Sequence, residues 1–254
     1  MPTPYTDAFE SVPRPVVSGA NEYPSSYELP EHQHRRSQLL YASAGTVAVT
    51  TPEGTWLAPP ERAVWIPGGT PHAVRMVGTV STRSVYVWPA VMAQPQDACR
   101  VIAVSPLLRA LLVAAVEVPR EYDEHARDGL LMSLLVEEIA RAATIPLALP
   151  LPTEPHLAVR CARFLEAPRM TEAIDDWAND LAMHRRRFTR VFRRETGMSF
   201  AAWRQQACLL SALPRLAAGE AVTTIALDLG YESPTSFSSM FRRALGKPPS
   251  HYRA

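Results

Sequence analysis

A short pattern that occurs twice near the C-terminus is the feature that most constrains the fold. Residues 178–197 and residues 226–246 place small, acidic, aromatic, basic and glycine residues in the same order. The matched pairs are Ala178 with Ala226, Asp180 with Asp228, Leu181 with Leu229, Phe188 with Phe237, Phe192 with Phe241, Arg193 with Arg242, Arg194 with Arg243 and Gly197 with Gly246. Each copy is typical of a short helix, a tight turn, an amphipathic helix and a closing glycine.

Two helices joined by a tight turn form a helix-turn-helix unit, in which the second helix enters the major groove of DNA. In the first copy this second helix is predicted over residues 184–195. Its inner side carries Phe188, Val191 and Phe192, and its outer side carries Arg186, Thr189, Arg190 and Arg193. Because arginine can donate two hydrogen bonds to guanine, we expect the outer side to read bases. A solvated basic face is the alternative, and the second copy argues against it.

The second copy has a different outer side. Its second helix, predicted over residues 234–244, turns Phe237, Met240 and Phe241 inward. The outer positions are Thr235, Ser236 and Ser239, with Arg242 and Arg243 at the end of the helix. Short hydroxyl side chains reach little beyond phosphates or a thymine methyl group. We therefore expect the first copy to supply most base specificity and the second to position and bend the DNA.

The charge is distributed unevenly along the chain. Residues 1–155 carry 11 basic and 16 acidic side chains, whereas residues 156–254 carry 15 basic and 9 acidic ones. Lys247 is the single lysine, so nearly all the positive charge is arginine. This asymmetry favours a nucleic-acid-binding module joined to an acidic domain, although ordinary scatter of charge remains an alternative.

Changes in composition divide the chain into four segments. Residues 1–100 contain short runs rich in valine, isoleucine and aromatic residues, which are typical of a β-sandwich or small barrel. Residues 101–145 have helical periodicity, residues 146–155 are rich in proline and predict a semi-rigid linker, and residues 156–254 are helical. The predicted fold class is α+β, with an N-terminal β-barrel, accessory helices and a C-terminal all-α domain.

Apolar residues recur at helical spacing between residues 105 and 145. They are Leu107, Leu108, Leu111, Leu112 and Ala115 in one helix, and Leu130, Leu131, Leu134, Leu135, Ile139 and Ala142 in the next. Packing onto the chain's own β-domain and formation of a homodimer interface both explain this stripe. The dimer face is expected either on the helix over residues 123–144 or at the edge of the barrel.

Cysteines and targeting signals favour a cytoplasmic protein. Cys99, Cys161 and Cys208 are isolated, without the CxxC spacing of a metal or redox motif. An odd number of cysteines does not suit a disulfide framework, so we expect a reducing compartment. The first residues lack the apolar segment of a signal peptide, and no apolar run of 18 residues predicts a membrane span.

The C-terminal domain resembles the DNA-binding domain of AraC/XylS-type bacterial transcription regulators. The resemblance is carried by RVFRRETGMSFAAWR and by IALDLGYESPTSFSSMFRRALGKPPSHYR, at residues 225–253. It implies seven helices, with two helix-turn-helix units joined by a long helix at about 199–218. It also implies base-facing positions at Arg186, Thr189 and Arg190, and at Thr235, Ser236 and Ser239. Two departures are Ser239, where a longer side chain is usual, and Ala182-Met183, where many relatives have glycine in the turn.

Histidines in the β-region have a recognisable spacing. His32, His34, Gln38 and Gly45 form one group, and Pro67 and His72 belong to a second. They resemble the two cupin motifs, which hold a metal inside a β-barrel with three histidines and one glutamate. The resemblance implies a cupin-like sensor domain in which His32, His34, Gln38 and His72 are candidate ligands for Zn, Ni, Fe or Mn. Gln38 replaces the acidic ligand, and ordinary polar lining is the alternative role.

Aromatic residues of the β-region are candidates for an effector pocket. They are Tyr41, Trp56, Trp65, Tyr86 and Trp88. Some of them should belong to the core, and a subset is expected to line a pocket for a small apolar or aromatic effector. The segment from residue 32 to residue 75 also resembles the sensor domain of one subgroup of these regulators.

These patterns predict a non-enzymatic transcription regulator that binds promoter DNA as a homodimer. A small molecule or metal in the cupin-like domain would control it, and RNA polymerase would be a partner if it activates transcription. A metal-dependent cupin enzyme fused to a helical domain is the alternative; Gln38 and the lack of an acid/base pair count against it. An adaptor with a degenerate DNA-binding domain is a third possibility, which the intact arginines oppose.

Overall fold

The computed structural model describes residues 9–58, 61–94, 96–145 and 147–252. It divides the chain into two compact units, one of Met1–Thr51 with Trp56–Leu147 and one of Pro52–Thr55 with Ala148–Ala254. The boundary falls inside the segment predicted as a linker. Among the described residues, none of the helices combines the length and apolar character needed to cross a membrane.

An antiparallel sheet forms the first unit. The strands of the chain are β1 (Val16–Tyr23), β2 (Glu28–His32), β3 (Ser37–Thr51), β4 (Gly54–Ala58), β5 (Arg62–Ile66), β6 (His72–Val87), β7 (Arg100–Ala103), β8 (Thr144–Ile145) and, assigned to the second unit, β9 (Ala148–Pro150). The main path runs β1-β6-β3-β5-β7-β8, and β2 pairs with β6. Because successive side chains of a strand face opposite ways, Leu39 and Tyr41 join the core while Gln38 faces the other side with Tyr86.

Two helices pack on the sheet, namely α1 (Pro106–Ala115) and α2 (Arg127–Arg141). The Ser105 hydroxyl caps α1 by accepting a hydrogen bond from the Leu108 backbone N–H, with Pro106 in the first turn. Part of the predicted apolar stripe is buried and part of it is exposed to solvent. Leu108, Leu111, Leu112, Ala115, Leu135 and Ile139 are buried, together with Met132 and Val136, whereas Leu107, Leu130 and Leu134 are exposed.

The second unit is helical beyond the short strand β9. Its helices are α3 (Pro155–Glu166), α4 (Ile174–Asp180), α5 (Arg185–Thr196), α6 (Phe200–Ala217), α7 (Val222–Asp228) and α8 (Pro234–Leu245), followed by a 3-10 turn at Pro249–Tyr252. The closing glycines Gly197 and Gly246 adopt φ of 70° and 79°, the left-handed conformation that ends a helix. The helices therefore lie where the repeated pattern predicts them.

Equivalent ion pairs hold both helix-turn-helix units. Arg160 contacts Glu172 at 2.8 Å and Asp180 at 2.9 Å. Arg215 donates to Glu220 at 2.7 Å and to Asp228 at 2.5 Å. Glu172 and Glu220, like Asp180 and Asp228, are 48 positions apart in the chain. The repeat therefore extends beyond the apolar and basic positions, and we call these two clusters the arginine locks.

The turn of the first unit carries local strain. Ala182 has a φ of 50°, in the left-handed region, while Gly230 has a φ of 74° at the corresponding place in the second unit. A side chain in this region costs about 1 kcal/mol relative to glycine. The departure at Ala182 is thus accommodated at a cost in backbone strain.

The connector between the two units is attached to the helical unit. The Trp203 indole N–H donates to the Pro150 carbonyl at 2.8 Å. The Glu195 carboxylate accepts from the Thr153 hydroxyl at 3.0 Å and from the backbone N–H of Glu154 at 3.2 Å. Pro150, Thr153 and Glu154 therefore have partners in the helices of the second unit, which the prediction of a proline-rich linker did not include.

Candidate functional site

Three histidines converge at one end of the sheet. His32 is the last residue of β2 and pairs with His72, the first residue of β6. His34 lies two residues after His32 in the chain. The ring centroids of His72 lie 4.3 Å from His32 and 5.0 Å from His34. One ring nitrogen of each histidine lies within 4.8 Å of the other two. We call these residues, with Gln38, the histidine cluster.

Backbone carbonyls fix the orientation of all three rings. The Nδ1 atoms of His32, His34 and His72 lie 2.8, 2.6 and 2.8 Å from the carbonyl oxygens of Pro30, Arg36 and Thr70. A carbonyl oxygen only accepts, so each Nδ1 carries the hydrogen, and a neutral ring then presents a bare lone pair at Nε2. This is the tautomer in which histidine binds a metal through Nε2.

Burial keeps the inner histidines neutral. His72 is fully buried, and its Nε2 has no hydrogen-bond partner among the described residues. Desolvation lowers the pKa of His72 to about 3 and also lowers the pKa of His34. The Nε2 atom of His72 can therefore accept a hydrogen bond from a water molecule or bind a metal.

Gln38 completes the cluster with an oxygen. Its amide nitrogen donates to the hydroxyls of Ser84 and Tyr86, both at 3.2 Å, which aims Oε1 at His34 Nε2 at 3.1 Å. Two acceptor atoms that face each other at this distance are satisfied by a cation between them. Rotation of the amide by half a turn instead lets Gln38 donate to His34, with both hydroxyls donating to Oε1. Three imidazoles and an amide oxygen fit a divalent transition metal.

A glycine turn holds His72 against the loop of the other two histidines. The Gly69 N–H donates to the His34 carbonyl at 2.7 Å, and the Gly68 N–H donates to the Ser37 hydroxyl at 3.1 Å. A Cβ atom on Gly68 would lie 2.2 Å from the carbonyl oxygen of Arg35. The structure thus requires glycine at position 68, outside the defined positions of the motif, because the two loops are in close contact. The four predicted metal ligands lie together as a result.

The five aromatic candidates do not form one group. Tyr41 and Trp65 are core residues beneath the helices, and Trp56 is buried in β4. Tyr86 lies against His34 with ring centroids 5.4 Å apart, while Trp88 lies beneath the guanidinium groups of Arg35 and Arg36. The alternation of side chains along strands separates them, because Tyr41 and Tyr86 belong to opposite faces. Trp65 also lines a cavity of about 280 Å³.

The first reading helix, α5, presents its predicted outer residues to solvent. Arg186, Thr189, Arg190 and Arg193 are exposed, while Phe188 and Phe192 are buried and Val191 is half-buried. Flanking arginines are already paired, Arg185 with Asp175 at 3.1 Å and Arg194 with Glu195 at 2.9 Å. Arg187 is also exposed and was missed by the helical-face argument, although the run of three arginines contained it.

The second reading helix, α8, also exposes its candidates. Thr235, Ser236, Ser239, Arg242 and Arg243 all lie on the surface. The Ser236 hydroxyl donates to the Ser233 carbonyl at 2.7 Å and accepts from the Ser233 N–H, which closes a capping box. Ser236 therefore caps the helix, a role that the prediction of a base contact overlooked.

Comparisons with known proteins agree with this architecture. Residues 14–135 match the AraC-like ligand binding domain, and residues 177–254 match a helix-turn-helix domain. The HTH-type transcriptional regulator NimR of Escherichia coli (strain K12) is 32% identical over 239 residues, which cover 94% of this chain and 86% of the relative.

Two solved structures are also similar. ToxT from Vibrio cholerae is 10% identical, with a TM-score of 0.39, over 94% of this chain and 98% of that chain. The DNA-binding domain of AdpA, solved in complex with a target DNA, is 32% identical, with a TM-score of 0.37, over 39% of this chain and 89% of that chain.

The chain belongs to the AraC family of transcription regulators, with an N-terminal ligand-binding domain and a C-terminal helix-turn-helix DNA-binding domain. The family consists of regulators, so the alternative of a cupin enzyme fused to a helical domain is wrong.

Proposed function

We propose that this regulator binds a specific promoter sequence as a homodimer and that a divalent transition metal in the histidine cluster sets its affinity for DNA. The convergence of three carbonyl-anchored histidines on one point carries the proposal. His32, His34 and His72 hold the metal through nitrogen, and Gln38 adds the amide oxygen. When bound, the metal would place a positive charge among these four side chains.

The exposed arginines of α5 support base reading by the first unit. Arg186 and Arg190 read guanine edges, and Arg193 with Arg187 contacts phosphates. In the second unit Arg242 and Arg243 contact phosphates, whereas Thr235 and Ser239 add short contacts. RNA polymerase is a further partner if the regulator is an activator.

Regulation requires the metal to bind the DNA-competent state more tightly than the other state. A small organic molecule is the alternative effector. A cavity of about 620 Å³ beside Arg83, Arg109 and Val113 lies in the range of roughly 300–1,000 Å³ typical of drug-sized ligands, whereas the cavity beside Trp65 is about 280 Å³. The proposal of a metal therefore rests on the convergence of the three histidines.

Metal content and DNA binding test the proposal together. Purified full-length protein is analysed for bound metal before and after chelation, and its binding to the upstream intergenic DNA is titrated at fixed salt. We expect about one metal per chain, and a change in DNA affinity of about 5- to 150-fold on removal. His72→Ala should lose the metal, whereas His125→Ala, which alters an exposed histidine, should keep it. Absence of metal in the wild type, with DNA binding insensitive to added Zn²⁺ or Ni²⁺, would contradict the proposal.

A further inference from the structure

We propose that the histidine cluster binds its metal together with a small anion that the protein does not supply. This inference rests on the metal site of the proposed function and names its second ligand. The anion is a monoanion of a few atoms or a small carboxylate that binds directly to the metal.

The donor atoms of the cluster are all neutral. His32, His34 and His72 each hold Nδ1 against a backbone carbonyl oxygen, and an imidazole that binds a metal through Nε2 does so as a neutral ligand. Gln38 offers an amide oxygen where a carboxylate would carry a charge. Among the described residues, the cluster contains no aspartate, glutamate or cysteine. A divalent metal held by these donors keeps both of its positive charges.

The surroundings provide little compensation for that charge. His72 is fully buried, and His34 and Gln38 are each only 6% exposed. Glu10 interacts electrostatically with His34. The carboxylate of Glu10, however, already accepts hydrogen bonds from the backbone N–H groups of Arg35 and Arg36 at 3.0 and 3.1 Å. An unbalanced charge in a poorly solvated site is unfavourable, so an anionic ligand stabilises the bound metal.

The cluster is accessible from one side. His32 is partly exposed, in contrast to the two inner histidines. A metal that takes five or six ligands would have one or two coordination positions left after the four protein donors. A tetrahedral metal would have one position left if Gln38 were released. A small anion entering past His32 fills such a position.

Cobalt spectroscopy tests this inference. Full-length protein freed of metal is loaded with Co²⁺ in perchlorate buffer, and its visible spectrum is followed during titration with azide and with acetate at constant ionic strength. We expect a saturable spectral change and a several-fold rise in Co²⁺ affinity when either anion is present.

Two glutamine-to-glutamate variants distinguish the effect of a negative charge inside the histidine cluster from the effect of a negative charge on a nearby exposed side chain. Gln38→Glu places a carboxylate in the cluster, so it should bind Co²⁺ more tightly than the wild type without added anion and should lose most of the azide response. Gln33→Glu adds the same charge on an exposed neighbour and should respond like the wild type.

The outcomes distinguish the two proposals. A protein that binds Co²⁺ but shows no change in spectrum or affinity with either anion overturns this inference and leaves metal regulation intact. A Gln38→Glu protein that keeps the full azide response overturns it as well. A folded wild-type protein that does not bind Co²⁺ removes the metal proposal and this inference together.

Discussion

Arg190 lies in the middle of the exposed face of α5, one turn from both Arg186 and Arg193. Replacing Arg190 with alanine should relax the preference for the operator by about 1–3 kcal/mol, because a bidentate arginine–guanine contact is lost. Competition titrations between operator and unrelated DNA, at one salt concentration, measure this change.

Ser239 provides the matched comparison on α8. Ser239→Ala removes an exposed short hydroxyl and should change operator affinity by less than about 1 kcal/mol, in the range of a weak contact. A large loss in Ser239→Ala together with a small one in Arg190→Ala would reverse the assigned roles of the two units.

At single positions the sequence identifies candidate site residues better than it predicts the roles of those residues. The histidines and Gln38 are identified by spacing, because each motif is local. The Ser236 capping box and the close contact of Gly68 with Arg35 depend on backbone geometry that spacing does not encode. The separation of Tyr41 from Tyr86 depends on strand register, which is set by pairing between distant segments.

At the level of elements, the attachment of the connector to α5 depends on Glu195. Glu195→Ala removes the acceptor for Thr153 and Glu154, so hydrogen exchange of these amides should accelerate several-fold while the core helices keep their protection. Hydrogen-exchange mass spectrometry on peptides covering residues 150–156 measures the effect. Glu166→Ala, at an exposed carboxylate of α3, is the control, and equal exchange in both variants would contradict this role.

The same carboxylate makes the attachment sensitive to acid. Hydrogen bonds from Arg194 and Thr153 lower the pKa of Glu195 below its ordinary value of 4.5. A group with a lowered pKa stabilises the fold above its ordinary pKa and loses that contribution as the pH falls through the lowered value. The acceleration of exchange at Thr153 in the wild type should therefore appear only below about pH 4.5, and Glu195→Ala should not show it.

The helices are predicted closely because their signals are local: Ser105-Pro106, Ser233-Pro234 and the closing glycines lie in the sequence itself. Strand β8, just before the proline-rich segment, and strand β9, within it, are not predicted from the sequence. They are two and three residues long, and their pairing partners lie far away in the chain. The lock of Arg160 was missed for the same reason, since Arg160 is 20 residues from Asp180. The lock of Arg215 was also missed, although Glu220 is only five residues away.

At the scale of the whole molecule, the exposed leucines on α1 and α2 are candidates for the interface of the proposed homodimer. Leu130 is 66% exposed, Leu134 is 45% exposed and Leu107 is 49% exposed, although the same helices bury the rest of their stripe. Substituting both Leu130 and Leu134 with aspartate should weaken dimerisation at least about tenfold, because each loses apolar burial and introduces a charge. Sedimentation velocity over a range of protein concentrations measures the dimer.

Val91→Asp serves as the control, since Val91 is 38% exposed outside these helices. It should leave the dimer unchanged. A double aspartate variant that associates like the wild type would place the dimer face elsewhere, for example at the sheet edge formed by β1.

The two arginine locks also have an evolutionary consequence. Each half of the DNA-binding domain pairs its own charges, through Arg160 in one half and Arg215 in the other. The outward residues of one half can therefore change without disturbing the ion pairs of the other half. Operator preference can be re-engineered in the same way, by randomising outward positions of one half while its lock and aromatic interior stay constant.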